Sequence, residues 1–75
     1  MTDFYDLIDN YAEMYDQDKS DVLQQWYRGN IDCETLLIAW LNNEGIFGYS
    51  NDLIAVLKAL GTKAKKDGKD IPWDV

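Results

Sequence analysis

The feature that most constrains this chain is a run of six consecutive apolar residues near its middle, LLIAWL at positions 36–41. Successive residues of an α-helix project about 100° apart, so six apolar residues in a row leave almost no polar face. The run is much shorter than the roughly 20 residues that span a membrane. It predicts a helix buried on all sides, with Leu37 and Trp40 in the core of the protein.

The residues before this run predict two further helices. The first covers residues 3 to about 16, with Thr2 as its N-cap, because apolar residues recur there at intervals of three and four. The second covers residues 21–28 and is capped by Asp18 or Ser20. Asp32 is then placed to cap the central helix.

The residues after the run predict a fourth helix, from 52 to about 66, whose lysines point away from the core or cluster at its C-terminal end. Between the central and fourth helices, the aromatic residues of 46–49 are expected to fold back onto the core. Together the patterns predict an all-α fold, a compact bundle of about four short helices. We expect residues 1–75 to form one small domain, with 67–75 as an irregular tail in which Trp73 either docks or stays free.

Composition limits the chemistry of the chain. It has one cysteine and no histidine, so it can form no internal disulfide and lacks the commonest general base. Cys33 lies between Asp32 and Glu34, whose negative charges disfavour a reactive thiolate, and we expect it to be a small buried side chain. The sequence therefore predicts no catalytic residue, no metal site and no cofactor, and a protein that is not an enzyme.

Two motif resemblances fail on the residues that they require. The segment at 16–20, DQDKS, resembles the start of a calcium-binding loop, but Asp21 and Tyr27 stand where such a loop needs glycine and glutamate. The second and central helices resemble a helix-turn-helix unit, but the central one offers carboxylates and leucines where base-reading side chains are needed. Direct nucleic-acid binding is not expected.

The negative charge of the chain is concentrated in its first half. The net charge is −7; residues 1–34 hold nine acids and two bases, whereas residues 35–75 hold five of each. Four acids lie on one face of the first helix, opposite its apolar face, and no lysine follows them at the spacing that would neutralise them. With three flanking acids they form what we call the acidic set: Asp3, Asp6, Asp9, Glu13, Asp16, Asp18 and Asp21.

The acidic set admits two interpretations, a solubilising surface or a binding face for a partner. On the second, the protein is a non-enzymatic inhibitor or regulator that binds a basic, nucleic-acid-binding surface of another protein by mimicking DNA. In size, acidity, aromatic content and lack of catalytic residues, the chain resembles small inhibitors that phages and mobile elements direct against host proteins. This resemblance is one of composition and involves no specific motif.

The competing hypothesis is a helical adaptor or homodimeric protein-interaction module that uses exposed aromatic residues, such as Tyr5, Tyr27 and Trp73, with charge only for solubility. The first ten residues lack a basic segment and a long apolar core, so we expect no signal peptide. With its single unpaired cysteine, the chain is expected to be cytoplasmic, a monomer or weak homodimer, and without membrane contact.

Overall fold

The structure is a computed structural model, and it describes residues 3–44 and 51–73. Within these ranges the chain forms four α-helices and no strand: α1 Phe4–Met14, α2 Lys19–Arg28, α3 Cys33–Glu44 and α4 Asn51–Lys66. The predicted all-α bundle of four short helices is therefore confirmed. The expectation for residues 46–49 lies outside the described residues.

The first helix begins one residue later than predicted, because Asp3 rather than Thr2 is its N-cap. The Asp3 side chain accepts a hydrogen bond from the Asp6 N–H, at 3.0 Å. The Asp6 side chain in turn accepts one from the Asp3 N–H, at 3.1 Å. This reciprocal capping box satisfies two backbone donors that the first turn leaves without partners.

An aspartate also directly precedes each of the next two helices and accepts hydrogen bonds from its first turn. Asp18 caps α2 by accepting a hydrogen bond from the Ser20 N–H, at 2.8 Å. Asp32 accepts hydrogen bonds from both the N–H and the hydroxyl of Thr35, at 2.9 and 2.8 Å. The end of α2 is fixed by Gly29, whose φ of 84° lies in the left-handed region that glycine adopts without strain.

The core lies where α1 packs against each of the other three helices and α3 packs against α4. Its largest fully buried side chain is Trp26 of α2, whose ring centroid lies 4.9 Å from that of Phe4 in α1. The buried side chains come from all four helices and from the turn between α2 and α3: Phe4, Leu7, Ile8, Ala12, Val22, Trp26, Ile31, Cys33, Leu36, Ala39, Trp40, Val56, Leu60 and Ala64.

The central helix is not buried on all sides, and this part of the sequence prediction is wrong. Leu36 and Trp40 are buried, but Leu37 is only half-buried and Ile38 is 49% exposed. Since α3 packs only against α1 and α4 among the described helices, its remaining face meets solvent. A continuous apolar run covers every face of a helix and cannot indicate which face a neighbour will cover.

After α4 the chain turns back along the bundle without forming a further helix. The turn is at Asp67–Gly68, where Gly68 has a φ of 73°, and the Lys69 N–H donates to the Ala64 carbonyl at 2.8 Å. Trp73 is half-buried and packs against the core, so it is docked rather than free. Among the described residues, no helix has the length and apolar content needed to cross a membrane.

Candidate functional site

The seven residues of the acidic set remain at the surface but do not form one continuous face. Asp9 is half-buried and the other six are exposed. Asp16 lies beyond Met14, the last residue of α1. The acidic face of α1 therefore carries three of the four predicted acids, Asp6, Asp9 and Glu13. The set falls into three groups along the chain: Asp3 with Asp6 at the start of α1, Asp9 with Glu13 further along it, and Asp16, Asp18 and Asp21 around the start of α2.

Four members of the set have structural roles, one of which is Asp18 as the cap of α2. Asp3 and Asp6 form the capping box of α1 described above. The Asp9 carboxylate lies 3.3 Å from the ammonium group of Lys19, which belongs to α2, so the spacing of charges along α1 does not indicate this pair. With side chains 68% and 45% exposed, Lys19 and Asp9 form a surface ion pair of the kind that contributes about 0–1 kcal/mol.

Glu13 and Asp16 are different, because neither has such a role. Both lie near the negative end of α1, and Asp16 also lies two residues before Asp18, the cap of α2. Glu13 lies in the last turn of α1, which contains no basic residue, and Asp16 follows Tyr15, the C-cap of that helix. The C-terminal end of a helix carries partial negative charge, so carboxylates there are repelled. Neither side chain has a hydrogen bond or ion pair within the described residues.

Asp16, Asp18 and Asp21 line a polar surface groove of about 490 Å³. The groove is also lined by three amide side chains and by Arg28 of α2. The Arg28 guanidinium donates to the side-chain oxygen of Gln24, at 3.4 Å, and forms no ion pair with a carboxylate of the described chain. The groove therefore keeps net negative charge, and its carboxylates are suited to accept hydrogen bonds from a cation. The side-chain oxygens of Gln17 and Gln24 already accept hydrogen bonds from Gln25 and Arg28.

A second charged cluster, which the sequence analysis missed, joins side chains of α2 to side chains at the end of α4. The Asp67 carboxylate accepts a hydrogen bond from the indole N–H of the fully buried Trp26, at 2.9 Å. The same carboxylate oxygen lies 3.4 Å from the ammonium group of Lys63. Lys63 also donates to the Tyr27 hydroxyl, at 3.0 Å. Lys63 lies in the last turn of α4, where the sequence predicts a cluster of lysines, but its side chain is only 14% exposed and is engaged within the protein.

Two aromatic rings beside this cluster also attract the Lys63 ammonium group. The Lys63 ammonium lies 5.4 Å from the centroid of the Phe4 ring and 5.2 Å from that of Tyr27, within the range of cation–π attraction. Its hydrogen bond to the Tyr27 hydroxyl raises the pKa of Lys63. The hydrogen bond from Trp26 lowers the pKa of Asp67, with Lys63 acting in the same direction. The cluster thus keeps both groups charged.

The single thiol shows no sign of activation. Cys33 is 1% exposed, which confirms the prediction of a buried side chain. Burial raises the pKa of its thiol, and the neighbouring Asp32 carboxylate raises it further. Within residues 3–44 and 51–73, no group of three or more histidine, cysteine, aspartate or glutamate side chains is arranged to hold a metal ion.

The three aromatic residues of the competing hypothesis do not all lie at the surface. Tyr5 and Tyr27 are 55% and 54% exposed, as expected for side chains that meet a partner. Trp73 instead packs against the core and is not an exposed aromatic. Comparison with known proteins adds no further guide, because no protein-family model, curated protein or solved structure matches the chain.

Proposed function

We propose that this protein is a non-enzymatic inhibitor or regulator that binds a basic, nucleic-acid-binding surface of a partner protein. The contacts are made by the acidic set, with Glu13 and Asp16 at its centre and the polar groove of Asp16, Asp18 and Asp21 beside them. The observation that carries the proposal is the position of Glu13 and Asp16, which lie at the negative end of α1 without a neutralising partner in the described chain.

Glu13 and Asp16 place charge at the end of α1 without a structural use there. A carboxylate at the C-terminal end of a helix loses about 0.3–1 kcal/mol relative to a neutral residue. A domain of 75 residues has a small core and limited stability. Two such carboxylates should therefore lower its free energy of unfolding by a measurable amount. A partner that supplies positive charge at this position would reverse the sign of the interaction.

The geometry of α1 supports a partner that normally binds nucleic acid. Asp9 and Glu13 are four residues apart, which places them about 6 Å apart along the helix axis. Phosphates of one DNA strand are spaced about 3.4 Å apart along the duplex axis, so a groove built for them meets charge at a comparable, although wider, interval. The net charge of −7 repels nucleic acid itself, which makes competition the expected mode of action.

The test is displacement of basic proteins from duplex DNA. Cell-lysate proteins are bound to immobilised duplex DNA at about 0.1 M salt, and the protein is added at increasing concentration. We expect it to release one or a few specific proteins, whose purified forms then bind it directly in competition with DNA. Replacing Glu13→Gln and Asp16→Asn together should weaken that binding, mostly through a slower on-rate.

The matched control is Asp52→Asn with Asp70→Asn, which removes the same amount of charge from two exposed positions outside the acidic set. If both double variants release the same proteins equally well, the effect is one of net charge and the acidic set is not the binding face. Release of every basic protein in proportion to its charge would likewise contradict the proposal.

A further inference from the structure

A second surface, separate from the groove of Asp16, Asp18 and Asp21, lies between the start of α1 and the outer face of α4. Its floor is made by small residues of α4, Ala55, Ala59 and Thr62, and its wall by Phe4 and Tyr5 of α1. It is a groove of about 680 Å³, which we call the α1–α4 groove. Since large side chains are missing from its floor, an aromatic ring can approach the α4 backbone closely.

The two edges of the α1–α4 groove carry opposite charges. Asp3 lies on the α1 edge, and Lys58 and Lys66 lie on the α4 edge. Both of these lysines are exposed, and neither has an ion-pair partner within the described residues. Lys63 also borders the groove, but its ammonium group is already engaged by Asp67 and Tyr27.

Tyr5 has the features expected of a side chain that fills such a groove. It is 55% exposed, and its ring meets that of Phe4 edge-on, with centroids 5.5 Å apart and planes at 76°. This contact favours a defined position of an exposed ring beside the acidic edge. The chain therefore carries both the groove and its complement, an aromatic ring flanked by negative charge.

We propose that the α1–α4 groove binds the same groove of a second copy of this chain, forming a two-fold symmetric dimer. In a two-fold contact the same patch faces itself. With the two-fold axis running along the groove, the α1 edge of each copy lies against the α4 edge of the other, and the opposite charges of the two edges favour this orientation. Tyr5 of each copy then covers Ala55 and Ala59 of the other, and Asp3 meets Lys58 or Lys66. The inference does not depend on the function proposed above.

The dimer is expected to be weak. Stable interfaces bury about 1,200–2,000 Å² in total, which a single shallow groove does not reach, and each copy carries a net charge of −7. At about 0.15 M salt the Debye length is about 8 Å, so remote repulsion is screened while direct contacts in the groove persist. We expect a dissociation constant of roughly 0.1–1 mM.

The test is sedimentation velocity from about 10 μM to 1 mM at 0.15 M salt, with NMR spectra over the same range. The parent chain should move towards a dimer, and its concentration-dependent shifts should centre on Tyr5, Ala55, Ala59 and Thr62. Tyr5→Ala and Lys58→Glu should each raise the dissociation constant about tenfold or more. Ile38→Ala removes an equally exposed apolar side chain from α3 and should leave self-association unchanged.

Circular dichroism keeps folding separate from association, because Lys58 is an exposed helical residue and its replacement should not unfold the chain. A chain that stays monomeric at the highest concentration would overturn the inference. So would a dimer that survives both Tyr5→Ala and Lys58→Glu, or one that Ile38→Ala dissociates, because its interface would then lie elsewhere.

Discussion

Asp67 links α2 to the end of α4. The backbones of these two helices do not approach each other closely. Its carboxylate accepts the Trp26 indole N–H from α2 and contacts Lys63 in the last turns of α4. Trp26 is fully buried, so its N–H has no access to water and needs an acceptor from the protein. One carboxylate thus satisfies a buried donor and balances a half-buried cation.

Removing this carboxylate should therefore destabilise the protein. We expect Asp67→Ala to lower the free energy of unfolding by about 1–3 kcal/mol, since the Trp26 N–H is left without an acceptor. Asp67→Asn, which keeps an acceptor oxygen but loses the charge, should have a smaller effect. Urea denaturation measures both. Asp70→Ala, at an exposed position nearby, is the control and should shift the midpoint little.

The same cluster predicts how stability depends on pH. The pKa of Asp67 is lowered by the Trp26 hydrogen bond, so its contribution is present above about pH 4 and is lost as pH falls through the folded-state value. The pKa of Lys63 is raised by the Tyr27 hydroxyl, so its contribution is present below about pH 10 and is lost above it.

The melting temperature should accordingly pass through a plateau between about pH 5 and 9 and fall on either side. Asp32, whose pKa is lowered by its hydrogen bonds from Thr35, adds to the loss at acid pH. Asp67→Asn should make the acid side of the profile shallower without abolishing it. An unchanged acid side in that variant would show that the carboxylate is not engaged in solution.

At the scale of single helices, α3 gives a graded test of burial. Leu36, Leu37 and Ile38 are consecutive, but they are respectively fully buried, half-buried and 49% exposed. We expect Leu36→Ala to cost about 2–5 kcal/mol, as large-to-small changes in a core do. Leu37→Ala should cost less, and Ile38→Ala least. Thermal melts of the three variants check the order, and equal losses would mean that α3 is oriented differently.

The existence of the helices could be predicted from sequence because local chemistry determines it. Aspartates that cap first turns, apolar spacing and the glycine at position 29 all act within a few residues of one another. The orientation of α3 could not be predicted from sequence, because the exposed face of a uniformly apolar helix depends on where its neighbours pack. Ile38 shows this limit, since nothing in its own segment distinguishes it from Leu36.

The candidate site shows the same division between local and distant interactions. The identity of the acidic residues and the absence of neutralising lysines along α1 could be predicted from the sequence. The pairing of Asp9 with Lys19 could not, because it joins two helices. The cluster of Trp26, Lys63 and Asp67 was also missed, although a lysine in the last turn of a helix and an aspartate four residues later are a recognisable signal.

At the scale of the whole molecule, uneven charge should limit stability. All of the net charge of −7 is contributed by residues 1–34. Like charges that are held together in the folded state repel one another, and salt screens them over a Debye length of about 10 Å at 0.1 M. The melting temperature of the parent chain should therefore rise as salt is added from about 10 mM to 0.3 M.

Glu13→Gln with Asp16→Asn should raise the melting temperature at low salt and reduce its dependence on salt. Both substitutions remove charge from the negative end of α1, and asparagine tolerates the left-handed φ of 53° that Asp16 adopts. Asp52→Asn with Asp70→Asn changes the net charge equally, but Asp52 lies in the first turn of α4, where negative charge is favourable. That control should be no more stable than the parent chain. If both pairs raise the melting temperature equally, net charge alone explains the gain, and Glu13 and Asp16 would lose the energetic distinction on which the proposed function rests.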